Sequence, residues 1–151
     1  MKYHIQSVLL LVLAFTASGC GGNASAVSPT STTESPQQVE DQASLVAALE
    51  AEGATIETGD SVEQAFFGPV GNIIKVNGAD VQVFEYPSAE AMENEASQVA
   101  PDGDSIGTSM VTWIDTPHFY KAGRIIVLYV GSDETVLGSL EKVLGPQFAG
   151  R

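Results

Sequence analysis

The chain has 151 residues with 19 acidic and 6 basic side chains, so its formal net charge is −13, and 44% of its residues are hydrophobic. This length accommodates one domain of ordinary size with a core of its own. The strong negative charge repels phosphate backbones, which excludes nucleic acid as an expected partner.

Residues 1–19 have the organisation of an export signal. Lys2 lies in a short polar start, an apolar run covers residues 8–15, and small residues follow. This order is typical of a secretory signal. The stretch from Ile5 to Ala17 has 13 residues, which is about 20 Å as a helix, whereas a bilayer core of about 30 Å needs about 20 apolar residues. We therefore predict a cleaved signal peptide over residues 1–19 and not a membrane span.

The signal ends at Ala17-Ser18-Gly19-Cys20, which contains the single cysteine of the chain. This segment resembles the lipobox of bacterial membrane lipoproteins. The resemblance implies that the Cys20 thiol receives a diacylglycerol, and that the chain is exported and anchored to a membrane through this lipid. Ordinary signal peptidase would also accept the small residues before the cleavage point, but the position of the only cysteine favours lipidation.

Residues 20–42 are predicted to form the lipidated cysteine and a linker. After Cys20 this stretch is rich in Ser, Thr, Gly, Pro and Gln and has no aromatic residue. Such a composition cannot bury enough apolar surface to fold, so we predict a disordered linker. The pair Gly21-Gly22 lacks the aspartate that retains lipoproteins of this class in an inner membrane. The resemblance therefore favours the outer membrane in a host that has one, and otherwise the outer face of the cell membrane.

Residues 43–151 are predicted to form one small acidic globular domain. Its clearest local signal is the Asn-Gly dipeptide at residues 77–78 within an alternating apolar stretch. This dipeptide suits a two-residue turn because both positions need a positive φ. We predict a hairpin over residues 73–86 in which Lys75 faces Asp80, with aliphatic pairs on the opposite face.

Apolar periodicity predicts helices and further strands on both sides of this hairpin. The predicted helices cover residues 44–52, 88–99 and about 133–144, the predicted strands cover residues 54–58, 62–67, 110–114, 119–120 and 124–130, and residues 102–107 are a loop. The run at residues 124–130 is apolar on both faces, which predicts a central covered strand. We predict an α+β fold with an antiparallel sheet of four or five strands and about three helices mainly on one face. A duplicated helix-hairpin unit and a chance repetition of pattern are the two explanations of the repeated order.

Catalytic and metal-binding motifs are not apparent in the sequence. His118 is the only histidine outside the predicted signal, and no nucleophile motif such as G-x-S-x-G accompanies it. The stretch Asp102–Ser105 lacks the further ligands of a calcium loop. We therefore predict no metal site, no cofactor and no enzymatic activity. The alternative is a small envelope enzyme that acts on a glycan through paired carboxylates, since spatial pairs are invisible in sequence.

Aromatic residues provide one candidate binding surface. Trp113, His118, Phe119 and Tyr120 lie close together in sequence, on or beside predicted strands. If helices cover one sheet face, aromatic side chains on the other face would form a patch that binds a partner or a small ligand. The alternative is that they complete the core. The predicted function is a non-catalytic binding or adaptor domain of the cell envelope, with an envelope protein or a small ligand as partner and the oligomeric state left open.

Overall fold

The computed structural model describes residues 38–151, so the predicted signal peptide, Cys20 and most of the predicted linker lie outside the described residues. The described residues have an α+β fold with three helices and a six-stranded antiparallel sheet. The elements are α1 (Gln42–Ala51), β1 (Ile56–Val62), β2 (Gly71–Val76), β3 (Ala79–Glu85), α2 (Ala89–Ala96), β4 (Ser105–Ile106), β5 (Ser109–Met110), β6 (Pro117–Ala122), β7 (Ile125–Val130), α3 (Glu134–Leu144) and β8 (Ala149–Gly150). The predicted fold class is confirmed.

The sheet has the strand order β1-β2-β3-β7-β6-β8, and β4 and β5 form a separate two-stranded ribbon. The sheet therefore has one strand more than the four or five predicted. The sixth strand, β8, has only two residues and pairs with His118 and Phe119 of β6. So short a strand has no periodicity of its own, and its position depends on contacts with β6 that are distant in sequence.

The predicted hairpin is confirmed as β2 and β3. Lys75 pairs with Asp80 in the register, and their side chains form an ion pair with 2.6 Å between Nζ and Oδ1. Asn77 and Gly78 both have positive φ, at 52° and 89°, as the two-residue turn requires. The predicted central strand is also confirmed, because β7 is buried from Ile125 to Tyr129 and pairs with β3 on one side and β6 on the other.

Two hydrophobic cores lie on opposite faces of the sheet, because side chains alternate in direction along each strand. The first core packs α1 and α3 against one face, and the second core packs α2 against the other. The first core includes Leu45, Leu49, Val81, Val127, Val136 and Leu140, and the second includes Phe84, Met92, Ala96, Phe119, Ile126 and Leu128. Two of the three helices thus share a face as predicted, and α2 does not.

Of the two explanations of the repeated order, duplication of a helix-hairpin unit is not supported by this arrangement. The segments β2-β3-α2 and β6-β7-α3 have the same order and meet where β3 pairs with β7. If the two segments were copies of one unit, the symmetry that relates the antiparallel neighbours β3 and β7 would be a two-fold axis normal to the sheet. Such an axis would place both helices on the same face of the sheet. The helices α2 and α3 instead lie on opposite faces, so this symmetry does not relate the two segments.

The folded domain begins earlier than the predicted boundary at residue 43. Val39 is only 5% exposed and belongs to the first core. The Asp41 side chain caps α1 by accepting a hydrogen bond from the Ser44 amide at 2.9 Å, as N-cap residues do. The Arg124 amide donates to the Glu40 carbonyl at 2.9 Å. The last residues assigned to the linker are therefore part of the fold.

Three regions of the described chain differ from their predicted structure. The predicted strand at 54–58 lies largely in β1, whose pairing with β2 is irregular between Thr58 and Ser61. The predicted strand at 62–67 is wrong except for Val62, because residues 63–67 lie outside any strand. The predicted loop at 102–107 contains β4, and the predicted strand at 110–114 contributes only Met110 to β5. The predicted second helix ends at Ala96, before the residue 99 that was expected. These differences arise where tertiary contacts decide the backbone path.

The Tyr86 side chain provides a test of the second core. Its hydroxyl is buried without a well-formed hydrogen bond among residues 38–151, and burial, then the charge of Glu95 and a weak hydrogen bond to its carboxylate, raise the pKa of Tyr86. Since so weakly paired a buried hydroxyl adds little to the stability of the fold, Tyr86→Phe should leave the free energy of unfolding unchanged or raise it by up to about 1 kcal/mol. Urea unfolding of both proteins measures this difference.

The matched control is Tyr129→Phe, because the Tyr129 hydroxyl accepts a hydrogen bond from the Asp133 amide at 3.2 Å. This variant should lose about 1 kcal/mol. Equal losses in the two variants would show that the Tyr86 hydroxyl has a partner after all.

Candidate functional site

Residues 110–116, which we call the strap, pass over the second core between the β4-β5 ribbon and β6. Val111 and Trp113 pack against that core, whereas the side chains of Met110 and Ile114 are 92% and 100% exposed. This alternation has the period of two that is typical of an extended chain. Met110 and Ile114 are the most exposed large hydrophobic side chains of residues 38–151.

Trp113 fixes the middle of the strap to the domain. Its indole Nε1 donates a hydrogen bond to the Gly103 carbonyl at 2.8 Å. Its ring meets Phe66 and Phe119 edge-on, with centroids 5.9 Å and 5.8 Å away, a geometry that aromatic pairs favour. Because this side chain is held on several sides, its neighbours along the strap project outward from a defined position.

The strap backbone is held at its two ends and not between them. The Val111 amide donates to the Asp104 carbonyl at 3.0 Å, and the Thr116 carbonyl accepts from the Gly131 amide at 2.9 Å. Within the part of the chain that the structure describes, the backbone groups of residues 112–115 make no backbone hydrogen bond. The chain bends at Ile114 and Asp115, so the amide and carbonyl groups of this short stretch lack backbone partners within the domain.

Three open hollows lie beside the strap, and two of them are bordered by carboxylates. The first has a volume of about 440 Å³ and is bounded by the strap together with Asp104 and Arg151. The second has a volume of about 550 Å³ and extends from Ile114 and Asp115 towards β3 and the start of α3. Carboxylates line both, since Asp80 and Asp133 also border the second hollow. The strap is thus an apolar ridge between acidic depressions.

The carboxylates of these hollows have structural partners. Asp104 forms an ion pair with Arg151, and Asp80 forms one with Lys75. Asp133 caps α3 by accepting from the Thr135 amide at 2.8 Å. Within residues 38–151 no cluster of His, Cys, Asp or Glu has the arrangement of a metal site.

All basic side chains of residues 38–151 lie in ion pairs. The pairs are Lys75 with Asp80, Lys121 with Glu93, Arg124 with Asp41 and Glu85, Lys142 with Glu52, and Arg151 with Asp104. The remaining acidic side chains have no basic neighbour in this set. The surface therefore repels anionic ligands and attracts cationic ones.

The prediction that Trp113, His118, Phe119 and Tyr120 form one exposed patch is wrong. Phe119 is fully buried in the second core, and Tyr120 is 3% exposed and lies in the first core. These neighbours on β6 point to opposite faces because side chains alternate along a strand. Trp113 packs on the side of Phe119, so the four side chains do not share a surface. The alternative, that these aromatic residues complete the core, is confirmed for Phe119 and Tyr120.

His118 has a structural position. The residue is 7% exposed, its Nε2 donates to the Gly131 carbonyl at 3.1 Å, and its Nδ1 meets the side-chain amide of Gln147 at 2.6 Å. Its ring also stacks on Tyr129, with 6.1 Å between centroids. Because both ring nitrogens are engaged, His118 connects β6 with the loop after β7 and with the C-terminal segment. It does not present a free nitrogen to a ligand.

The sequence predicts a strand over residues 110–114, where the structure has the strap. Residues 110–114 are apolar except for Thr112 and rich in β-branched and aromatic types, which indicates an extended chain without showing whether the chain joins the sheet. Exposure of Met110 and Ile114 follows from the packing of Val111 and Trp113 beneath them. The predicted lipidation site, Cys20, lies outside the described residues.

Comparisons of the chain with protein-family models, with curated proteins and with solved structures find no match. No helix within residues 38–151 is long and apolar enough to cross a bilayer. The features that bear on function are therefore the strap, its two exposed apolar side chains and the carboxylates beside it.

Proposed function

We propose that the chain is a lipid-anchored lipoprotein of the cell envelope whose acidic domain binds an envelope partner, without catalysis, through the strap. The anchor is Cys20, on the basis of the lipobox resemblance. The observation that carries the binding proposal is the exposure of Met110 and Ile114 on a strap that Trp113 holds in place. The strap replaces the aromatic patch as the candidate surface.

Attachment to a strap that Trp113 anchors distinguishes these two residues from scattered exposed hydrophobic residues. Single exposed apolar side chains are common and need no explanation. Met110 and Ile114, however, project from the same fixed strap, one on either side of Thr112. A surface that is already ordered loses little conformational entropy on binding, so more of the burial energy becomes affinity. Burial of two such side chains is worth about 3 kcal/mol or more.

The anchor is tested by labelling cells with a radioactive fatty acid. The unmodified chain should incorporate the label and remain with the membrane fraction, because acyl chains partition strongly into bilayers. Cys20→Ala should lose the label and leave the membrane. Ser18→Ala is the matched control, since it keeps a small residue in the same segment, and it should retain the label. A labelled, membrane-bound Cys20→Ala chain would contradict the anchor proposal.

The binding surface is tested by placing a photo-crosslinking amino acid at position 114 in the full-length chain and irradiating intact envelopes. We expect one defined adduct from this position. Position 70 is the matched control, because Val70 is another exposed apolar residue, at 55% exposure, and lies outside the strap. The proposal would be contradicted if position 114 gave no adduct, or if positions 114 and 70 gave the same adduct.

A further inference from the structure

The third hollow beside the strap differs from the other two because no charged side chain of the described residues borders it. It has a volume of about 260 Å³ and lies between the strap and the connection from β1 to β2. Gln82 of β3 and Val130 of β7 border it on the sheet side, and Gln64 and Phe66 of the connection border it opposite the strap. Loops that a sheet holds in place are common positions for binding residues.

Gln82 is a polar residue between two aliphatic neighbours in the middle of the sheet. Its register partners are Ile73 on β2 and Leu128 on β7. Gln82 is half-buried, and its side-chain oxygen accepts a hydrogen bond from Gln64 Nε2 at 2.8 Å. This is the only hydrogen bond of the two side-chain amides within residues 38–151. The pair therefore keeps donor and acceptor groups at the border of the hollow.

The lining of the third hollow favours an uncharged ligand. An anion would find no basic side chain there, since all basic side chains of residues 38–151 lie in ion pairs elsewhere. A cation would find no carboxylate there and is drawn to the acidic remainder of the surface. The amides of Gln64 and Gln82 and the hydroxyl of Thr112 both donate and accept hydrogen bonds. They therefore match ligand hydroxyl groups, which also do both.

Phe66 and Trp113 give the third hollow an apolar side. Their rings meet edge-on with centroids 5.9 Å apart, and both are half-buried beside the hollow. Ile114 and Val130 extend this apolar lining. The volume of about 260 Å³ is below the range of about 300–1,000 Å³ that encloses a drug-sized ligand, so the hollow fits one small ring of a longer molecule. A sugar ring has hydroxyl groups around its rim and an apolar C–H face, which suit both parts of the lining.

We propose that the third hollow binds one ring of an uncharged saccharide. Gln64, Gln82 and Thr112 exchange hydrogen bonds with its hydroxyl groups, and Phe66 and Trp113 contact its apolar face. The inference goes beyond the proposed function, because it assigns a saccharide to the side of the strap that faces the β1–β2 connection.

The test uses the single tryptophan of the chain. Trp113 borders the hollow, so a sugar that enters it changes the Trp113 fluorescence. The full-length chain, in a polyoxyethylene detergent that carries no sugar, is titrated with neutral tetramers of N-acetylglucosamine, glucose and mannose. Tetramers of glucosamine and galacturonic acid are the charged counterparts. We expect a saturable change with at least one neutral tetramer. Both charged tetramers should bind at least tenfold more weakly, because the hollow offers no partner for a desolvated charge.

Gln82→Met keeps the length of the side chain and removes its hydrogen-bonding groups, so the affinity for the neutral tetramer should fall by about five- to tenfold. The matched control is Gln98→Met, because Gln98 is exposed and does not border the hollow. The Trp113 emission without sugar distinguishes ligand contact from a structural role of Gln82. A displaced strap or connection alters this emission before any sugar is added.

Thr112→Val is a second variant that leaves the bond between the two glutamines intact. Thr112 is exposed and makes no backbone hydrogen bond within residues 38–151, so its loss should weaken sugar binding by about two- to fivefold without altering the emission of the free protein. If Gln82→Met does alter that emission, Thr112→Val decides, and its unchanged affinity would overturn the inference.

Three further results would also overturn the inference. They are the absence of any fluorescence change with the neutral tetramers, equal affinity for the charged tetramers, and an equal loss of affinity in Gln98→Met and Gln82→Met. None of these measurements involves the photo-crosslink at position 114. The saccharide site and the proposed envelope partner can therefore fail separately.

Discussion

Phe119→Ala is expected to lower the free energy of unfolding by about 3–5 kcal/mol, the usual effect of removing a fully buried aromatic ring. Phe119 has no exposed surface, and its ring meets those of Phe67, Trp113 and Phe148 at centroid distances of 6.4, 5.8 and 6.2 Å. Its removal leaves a cavity beneath the strap that these neighbours cannot fill. Urea unfolding followed by circular dichroism measures the loss.

Phe148→Ala is the matched control for this variant. The Phe148 ring touches the same cluster but is half-buried, and Lys121 Nζ lies 5.1 Å from its centroid on the exposed side. The smaller buried area predicts a loss of about 1–2 kcal/mol. A Phe119→Ala protein of unchanged stability would restore the idea that this residue belongs to a binding surface and would contradict the packing described above.

Gly123→Ala should destabilise the domain by about 2–4 kcal/mol. Gly123 occupies the turn between β6 and β7 with a φ of +49°, where a side chain is strained. A Cβ at this position would also overlap the backbone of Glu40, whose carbonyl accepts the hydrogen bond from the Arg124 amide. The substitution therefore forces the start of the domain away from the sheet, and overpacking of this kind adds to the strain.

The control substitution is Gly138→Ala in α3. Gly138 is exposed and has open space where a Cβ would lie, and alanine is the better helix former. This variant should gain about 0.5–1 kcal/mol, so the same chemical change has opposite signs at the two positions. If Gly123→Ala were as stable as the unmodified protein, residues 38–41 would not be fixed to the β6–β7 turn as described.

Local chemistry explains why the hairpin was predictable. The Asn-Gly dipeptide selects one turn type, and that turn fixes the register that places Lys75 opposite Asp80. The position of β7 at the centre of the sheet was likewise predictable, because a strand covered on both faces must be apolar throughout. The cap of α1 is also a local feature, since Asp41 and Ser44 are three residues apart. Asp41 nevertheless lies in a polar stretch with the composition of a linker, and its ion pair with Arg124 is not visible in the sequence.

The prediction of an exposed aromatic patch was wrong for a reason that is visible in the sequence. Phe119 and Tyr120 are adjacent on a strand, so they could not have shared one face. The side of the sheet that α2 covers was not predictable, because an apolar stripe shows that a helix packs without showing against which face. The exposure of Met110 and Ile114 was not predictable from the sequence either. Hydrophobic side chains are expected inside, and only the packing of Trp113 leaves these two outside.

The central claim is that the strap carries the binding surface, and the most direct measurement compares the double variant Met110→Ser, Ile114→Ser with Val70→Ser in intact cells. The quantity measured is the fraction of the chain that co-purifies with its crosslinked envelope partner. Met110 and Ile114 are exposed in the free domain and become buried when the partner binds. Loss of both should weaken binding more than tenfold, so the double variant should lose the partner while Val70→Ser retains it. Full retention by the double variant, with unchanged stability, would contradict the claim.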